Sequence, residues 1–319
     1  MSDESVPQQG DHLSLSVVIP VYNSHKTLAK TLAAVFASDY PDFEVIVVDD
    51  CSRDDSRQIA ERFPVRLIRQ PRNSGVASTR NRGAEEARGE ILVFIDSDIV
   101  VERDTLRKFA DAFTSHPEVK VVGGVMAGAL ADKRWGVTFI GLKLVHILDA
   151  RHRGRMRYES CCFPSYAGAV TKEAFEDVGG FDSSLAGIGG EDYDLGLRLS
   201  KHHRIVYFTD IRVAHLYLPL FAKLREWFRR SKRVLRPFLR TLGRTDNPNG
   251  PLEQVSVLLV MAALGAIIAS LLYPALLWVS LGAFLVSVAI NYHFYYFVAS
   301  QKHIPFALYA VVCLVVFSG

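Results

Sequence analysis

Short apolar runs alternate along the first part of the chain with segments in which apolar residues recur every three or four positions. The runs are typical of buried strands and cover residues 15–20, 44–50, 65–68, 91–95 and 119–122. The segments with helical spacing lie between them, at residues 27–37, 56–63, 76–88 and 104–115. Strands that alternate with helices of this length predict an α/β domain with a mostly parallel sheet and helices on both faces.

The pattern is less regular over residues 125–217. It predicts helices at residues 135–148, 173–177 and 191–201, and short strands at residues 204–209 and 212–215. A stretch rich in Gly, Asn and Pro at residues 243–251 then marks a boundary. We therefore expect one folded domain over residues 1–217, with a polar tail at residues 1–13.

Three uncharged apolar runs follow this boundary, at residues 255–272, 275–290 and 304–317. From residue 255 onward the sequence has one Lys and no Arg, Asp or Glu. About 20 apolar residues span the hydrocarbon core of a bilayer as a helix, and the third run is short for this. The runs predict a transmembrane region of two to three helices over residues 252–319.

A basic segment lies directly before the apolar runs. Residues 223–244 carry nine Lys or Arg against the single acid Glu226. With its interleaved Phe, Leu and Trp, the segment at 218–245 is typical of an amphipathic helix among lipid headgroups, and packing on the preceding domain is the alternative. The positive-inside rule then places residues 1–250 in the cytoplasm. No nucleic-acid-binding motif accompanies the charge, so nucleic acid is not an expected partner.

Polar residues follow the predicted strands at their carboxyl ends, where sheets of this class bind ligands. Asp96 and Asp98 come directly after the run at 91–95, and carboxylates at this spacing can hold Mg²⁺ or Mn²⁺, although a turn with capping aspartates has the same sequence. Asp50 ends the second run and Arg80 lies beyond the third. A carboxylate can accept a hydrogen bond from a nucleobase, and Arg suits a diphosphate.

Several of these residues belong to motifs that occur in a familiar order. The motifs are VIPVYN at residues 18–23, VVDDCSRD at 47–54, NSG at 73–75, RNRG at 80–83, DSD at 96–98, VGGFD at 178–182 and GEDYDL at 190–195. As a set, over roughly residues 14–217, they resemble the family 2 glycosyltransferases, which have the GT-A fold. The resemblance implies a metal-dependent, inverting enzyme that uses a nucleotide-sugar donor, most often a uridine one.

The resemblance also implies roles for individual residues on the donor side. Tyr22 would stack on the base, Asp50 would hydrogen-bond it, and Arg80 would approach the diphosphate. Asp96 would contact the ribose or the sugar. The nucleotide-sugar-binding residues implied in this way are Pro20, Tyr22, Asp50, Asn73, Arg80, Asp96 and Glu191.

The remaining implied roles concern the metal and the acceptor. Asp98 would bind Mg²⁺ or Mn²⁺, and His215 would add a contact to the metal or a phosphate, or have no role. Asp192 would be the general base that takes the proton of the acceptor hydroxyl. An acidic residue at the start of a helix is also stabilised by the helix dipole, so Asp192 can serve both purposes.

The expected activity is the transfer of a single sugar to a lipid or lipid-linked acceptor at the cytoplasmic face of a membrane. Processive polysaccharide synthases of this family carry a Q-x-x-R-W motif, and Trp227 lies in a KLREW sequence that lacks the Gln. This departure argues against a polymerising enzyme. Two alternatives stay open, a polyprenyl-phosphate glycosyltransferase and an inactive membrane scaffold of the same fold.

Overall fold

The computed structural model describes residues 12–126, 157–185, 190–216 and 275–290, together with six single positions between residues 255 and 292. The chain divides into two compact units. The first comprises residues 1–127 and 154–216, and the second comprises residues 128–153 and 217–319. The predicted helix at 135–148 and the basic segment at 218–245 lie outside the described residues.

Strands and helices alternate through the described part of the first unit. The strands are β1 (Leu15–Val21), β2 (Phe43–Asp49), β3 (Arg66–Arg69), β4 (Ile91–Ile95), β5 (Ile99–Val101), β6 (Val121–Met126), β7 (Arg157–Ser160), β8 (Ala167–Thr171) and β9 (Ile205–His215). The helices are α1 (Leu28–Phe36), α2 (Ser56–Ala60), α3 (Val76–Glu85), α4 (Thr105–Ser115), α5 (Lys172–Asp177) and α6 (Glu191–Leu199). Each helix and strand predicted over residues 15–115 is present, with ends that differ by three residues at most.

These strands form one sheet with the order β3-β2-β1-β4-β8-β6-β9-β5, and β7 pairs with β9. β3, β2, β1 and β4 run parallel. The chain order reverses between β1 and β4, so the carboxyl ends of these strands border the crevice where such sheets bind ligands. Pro20, near the end of β1, has no N–H for the ladder, and the pairing of β1 with β4 ends at Val18.

The prediction of a mostly parallel sheet is correct for these four strands and for the pairing of β6 with β9, and wrong for the other pairs. β8 is antiparallel to both β4 and β6, and β9 is antiparallel to β5 and β7. A parallel neighbour needs a crossover of a dozen or more residues. Only residues 96–98 separate β4 from β5, which is too few, and β5 instead pairs with the end of β9, Ile99 opposite His215.

Strand β9 corrects the prediction of two short strands at residues 204–209 and 212–215. It is one strand of 11 residues, and its pairing with β6 shifts register between Gly123 and Val125. β6 also runs on through its two glycines, beyond the predicted end at residue 122. A Cβ on Gly123 would lie 2.9 Å from the Tyr207 ring, so glycine is needed there for close packing and does not end the strand.

Helix α7 (Leu276–Ile290) belongs to the second unit, and most of its described large apolar side chains are exposed. Trp278 and Leu285 are 76% and 56% exposed, whereas Ser280 and Ser287 are buried. Water-soluble helices normally bury their apolar face and expose the polar one. The arrangement in α7 is the reverse of that pattern.

The prediction of a transmembrane region concerns mainly residues outside the described segments. Helix α7 has 15 residues. Across the ranges that the structure describes, no helix combines the length and the hydropathy needed to cross a bilayer.

The packing of α3 on β1 leaves no room for a side chain at Gly83. A Cβ there would lie 2.3 Å from Val18 Cγ1. Gly83→Ala should therefore lower the free energy of unfolding by about 1–3 kcal/mol, measured by denaturant unfolding. The matched control is Gly282→Ala in α7, where no atom lies within 4 Å of the added Cβ and stability should hold or rise. Equal losses in the two variants would contradict this account of the packing.

Candidate active site

A single arginine joins the RNRG, DSD and GEDYDL motifs of the sequence. Arg80 lies on α3, and its Nη2 donates to Asp96 Oδ1 at 2.7 Å. Its Nη1 donates to Glu191 Oε1 at 3.3 Å. Asp96 begins the turn after β4, and Glu191 is the first residue of α6. Three predicted site residues from distant parts of the sequence therefore meet at one place.

The guanidinium of Arg80 is enclosed, with 3% of the residue exposed. Its Cζ lies 5.3 Å from the centroid of the Phe181 ring, a cation–π contact. The buried Nε has no hydrogen-bond partner among the described residues. Burial lowers the pKa of Arg80, but the adjacent charge of Asp96 and the other carboxylates outweigh burial and raise the pKa above its ordinary value. Arg80 is thus a permanent buried cation.

Beneath Arg80 lies a cluster of aromatic rings that sequence reasoning did not single out. Phe94 of β4 packs against Phe163, Phe175 and Phe181 with ring centroids 5.3–5.8 Å apart. The side chain of Asn81, the next residue on α3, holds the main chain of Phe181 at both ends: Asn81 Nδ2 donates to its carbonyl at 2.8 Å, and Asn81 Oδ1 accepts from its N–H at 2.9 Å. The VGGFD segment is fastened to α3 in this way.

Asp192 lies in the first turn of α6, beside Glu191. Burial raises the pKa of its carboxyl to about 6, the charge of Glu191 adds to this, and Arg80 opposes it. Its main-chain carbonyl accepts from Phe163 N–H at 3.2 Å. The neighbouring Cys162 thiol has a pKa of about 12, raised by burial and then by Asp192. A carboxylate with a pKa just below neutrality is suited to accept a proton near pH 7.

The second aspartate of the DSD motif lies beside the predicted His215. Asp98 Oδ2 is 3.4 Å from His215 Nε2, because β5 pairs with the end of β9. The Asp98 carbonyl also accepts from Leu216 N–H at 2.7 Å. Carboxylate oxygen and imidazole nitrogen at this separation fit two adjacent ligands of one Mg²⁺ or Mn²⁺ ion. No group of three or more His, Cys, Asp or Glu around a metal position occurs in the described segments.

Asp50 supports the loop before α3, a role that the prediction of a contact with the nucleobase did not include. Its carboxylate accepts from Ser74 N–H at 2.7 Å and from Gly75 N–H at 2.9 Å. Burial raises its pKa, and these two hydrogen bonds oppose the rise. Asn73 Nδ2 lies 3.4 Å from the Asp50 carbonyl, so Asp50 and Asn73 are neighbours as predicted from the strand ends. Asp50 therefore fixes the loop that starts α3, the helix that carries Arg80.

The loops after β1 and β2 are bound to each other beside Tyr22, which is 48% exposed. Asn23 N–H donates to Ser52 Oγ at 3.0 Å, and Arg53 N–H donates to Asn23 Oδ1 at 2.8 Å. Asn23 and Cys51 have φ of 52° and 63°, which is uncommon outside glycine. Backbone held in this region often occurs at binding sites. The exposed Tyr22 ring thus projects from a rigid pair of loops.

Two family profiles match the sequence. One, described as glycosyl transferase family 2, matches residues 16–179. The other, described as the N-terminal domain of galactosyltransferase, matches residues 151–218. Together they extend over the region that carries the site.

Curated relatives match in the same region. An uncharacterized glycosyltransferase of Haemophilus influenzae is 28% identical over 188 residues, which cover 58% of this chain and 61% of that protein. The poly(ribitol-phosphate) beta-N-acetylglucosaminyltransferase TarS of Staphylococcus aureus is 30% identical over 152 residues, which cover 43% of this chain and 26% of TarS. The chain thus spans less than two thirds of the length of these two relatives.

Solved structures share the fold. TarS in complex with UDP aligns with a TM-score of 0.51 at 22% identity, covering 71% of this chain and 66% of that one. The mannosyltransferase PcManGT from Pyrobaculum calidifontis, in complex with GDP-Man and Mn²⁺, aligns with a TM-score of 0.55 at 20% identity, covering 99% and 88%. These alignments confirm the predicted GT-A-like α/β fold. Because the family profile matches more than half of its residues, the chain belongs to glycosyl transferase family 2.

Proposed function

We propose that this chain transfers a single sugar, with inversion, from a uridine nucleotide-sugar to a lipid or lipid-linked acceptor at the cytoplasmic face of a membrane. The observation that carries the proposal is the position of Asp192. This carboxyl, with a pKa of about 6, lies one residue from Glu191, which is joined through Arg80 to Asp96 at the sheet crevice. TarS, a family relative, has been solved in complex with UDP.

The proposed reaction is a direct displacement. The acceptor hydroxyl oxygen forms a bond to the anomeric carbon while the bond from that carbon to the diphosphate oxygen breaks. Asp192 takes the hydroxyl proton, and the nucleoside diphosphate leaves with the electron pair of the broken bond. Attack on the face opposite to the leaving group inverts the anomeric centre. Burial of Asp192 supports the step, because it keeps the carboxylate basic enough to accept the proton.

Asp98 and His215 are the residues that would hold a divalent metal. Mn²⁺ is present in the structures of PcManGT and of GalNAc-T7, which has a TM-score of 0.51 at 19% identity. Such an ion, when bound, supplies positive charge to the diphosphate leaving group. The carboxylates of the site support the assignment. Asp96, Glu191 and Asp192 are balanced in the described residues by Arg80 alone, so a further cation would reduce the excess negative charge.

The membrane location is supported by features of the second unit and of the basic segment. The outward apolar side chains of α7 suit contact with lipid, and its buried serines suit contact between helices. The basic residues at 223–244 suit anionic headgroups. An acceptor with a lipid anchor would be held at the same surface as the catalytic unit.

Replacement of the proposed base tests the reaction directly. Asp192→Asn keeps the shape of the side chain but cannot take a proton, so transfer of labelled sugar should fall roughly 10²- to 10⁴-fold. Affinity for the nucleoside diphosphate, measured by calorimetry, should stay within a few-fold. In the parent, kcat/KM should decline as the pH falls through about 6, because Asp192 is then protonated.

The control for this test is Asp194→Asn, which alters a carboxylate in the same helical turn that bonds Arg198 instead of Arg80. Its transfer rate should remain near that of the parent. Near-parental transfer by Asp192→Asn would refute the assignment of the base. Mild acid hydrolysis of the product distinguishes the acceptors, because a sugar linked to polyprenyl phosphate is released and a sugar on a hydroxyl is retained.

The metal assignment predicts a coupled loss of binding and activity. Asp98→Ala should abolish transfer and weaken nucleotide binding, since Asp98 would hold the ion that supplies positive charge to the diphosphate. EDTA should have the same effect on the parent, and added Mn²⁺ should restore the parent but not the variant. Asp111→Ala, an exposed aspartate on α4, is the control and should respond to EDTA like the parent. Full activity of the parent in EDTA would show that the metal assignment is wrong.

The membrane proposal predicts different behaviour of the full chain and a chain ending at Arg244. The full chain should stay in the membrane pellet after an alkaline carbonate wash, because apolar helices are held by the bilayer core. The shorter chain keeps the basic segment and should be released at about 1 M salt, where the Debye length falls to about 3 Å and the attraction to anionic headgroups is screened. Release of the full chain by carbonate would contradict a spanning region.

A further inference from the structure

Arg80 is enclosed by protein on the sides that a phosphate would need to reach. Both terminal amino groups donate to carboxylates, at 2.7 Å to Asp96 and 3.3 Å to Glu191. The ring of Phe181 covers one face of the guanidinium at 5.3 Å. With 3% of the residue exposed, little of Arg80 is open to a ligand.

We propose that Arg80 is a positioning residue, which fastens the start of α6 to the turn after β4 and thereby fixes Asp192 toward the donor crevice. The inference rests on the proposed function and adds a role that differs from a direct contact with the diphosphate. The planar fork of the guanidinium suits this task, because it sets two carboxylates in one plane at fixed directions. A lysine carries the same charge without the fork.

The start of α6 has little local support of its own. Its N-cap is Gly190 in a left-handed conformation with φ of 93°, and a glycine has no side chain with which to cap the helix. Three acidic residues crowd its first turn, Glu191, Asp192 and Asp194. The helix dipole favours negative charge there, but side chains so close together also repel one another. The bond from Arg80 to Glu191, and the bond from Phe163 N–H to the Asp192 carbonyl, anchor this turn to the rest of the unit.

The titratable groups that face Asp192 come from four places, and one of them, the Cys162 thiol, is neutral at pH 7 because its pKa is about 12. Glu191 precedes it on α6, Arg80 approaches from α3, Asp96 from the end of β4, and Cys162 from the loop after β7. Burial raises the pKa of Asp192 most, Glu191 and Asp96 raise it further, and Arg80 lowers it. Removal of Glu191 charge should therefore lower the pKa of Asp192, and removal of Arg80 charge should raise it.

The experiment compares pH profiles and nucleotide affinity in four variants of the full chain. Glu191→Gln should move the acid limb of kcat/KM to lower pH, and Arg80→Gln should move it to higher pH, each by roughly 1 pH unit. Arg80→Lys keeps the charge but loses the fork, so kcat should fall at least tenfold while the Kd for nucleoside diphosphate stays within a few-fold. Arg82→Gln removes an exposed arginine of the same helix and should leave the limb and kcat unchanged.

The proposal is overturned if the acid limb of the kcat/KM profile does not move in Glu191→Gln. It is also overturned if Arg80→Lys loses nucleotide affinity as severely as Asp98→Ala. If Arg80→Gln does not fold, the result for Glu191→Gln decides the test. This variant should fold, because the amide oxygen of Gln can still accept the hydrogen bond from Arg80. A readout without catalysis separates this inference from the proposed function. Asp192→Asn should stabilise the chain more at pH 8 than at pH 4, because the raised pKa makes ionised Asp192 destabilising above about pH 6. This gain in stability at pH 8 should be smaller when Asp192→Asn is made in the Glu191→Gln variant. An unchanged gain would refute the proposed coupling between Glu191 and Asp192, even if no transfer were detected.

Discussion

A guanidinium taken out of water must keep its anionic partners, and this requirement organises the candidate site. Removal of one partner from a buried ion pair leaves an uncompensated charge, which is far more costly than the pair itself is stabilising. Arg80 meets the requirement with Asp96 and Glu191, which lie 16 and 111 positions away in the sequence. The carboxyl end of β4, the body of α3 and the start of α6 are thus bound to one another by the charge of one side chain. The aromatic cluster around Phe94 and Phe181 lies against one face of this guanidinium.

The parts of the fold that depend on local pattern could be predicted from the sequence. β1, β2 and β4 are apolar runs because central parallel strands are buried on both faces, and their ends are marked by polar residues. Asp50, Asp96 and Arg80 could be assigned to one edge of the sheet for that reason alone. Asp192 and His215 were identified through the family resemblance, since an acidic turn or a histidine at a strand end has several ordinary explanations. The structure brings Asp192 and Glu191 beside Arg80 and Asp96, and His215 beside Asp98.

What the sequence did not reveal depends on contacts between residues far apart in the chain. Asn81 holds the main chain of Phe181 across 100 positions, and no local pattern distinguishes it from other polar residues on a helix. The main-chain hydrogen bonds to Asp50 were not predicted, because a carboxylate at a strand end can either contact a ligand or support a neighbouring loop, and the sequence alone does not distinguish the two. Strand direction in the second half was mispredicted because alternation of strands and helices does not specify which strands become neighbours. The predicted strand ended before the glycines of β6, although Gly123 allows Tyr207 to pack closely.

The strand order has a consequence for how the chain is made. β3, β2, β1 and β4 all come from residues 15–95, so the parallel half of the sheet leaves the ribosome complete, together with Arg80 and then Asp96. Glu191 follows Arg80 after 111 residues, which at roughly 5–20 residues per second is a delay on the order of ten seconds. During synthesis Arg80 therefore has its Asp96 partner well before its Glu191 partner, and until then one amino group of the guanidinium lacks its carboxylate acceptor. The arrival of α6 supplies the second acceptor, so the docking of α6 is the step at which the newly made chain completes the two ion pairs of this buried guanidinium.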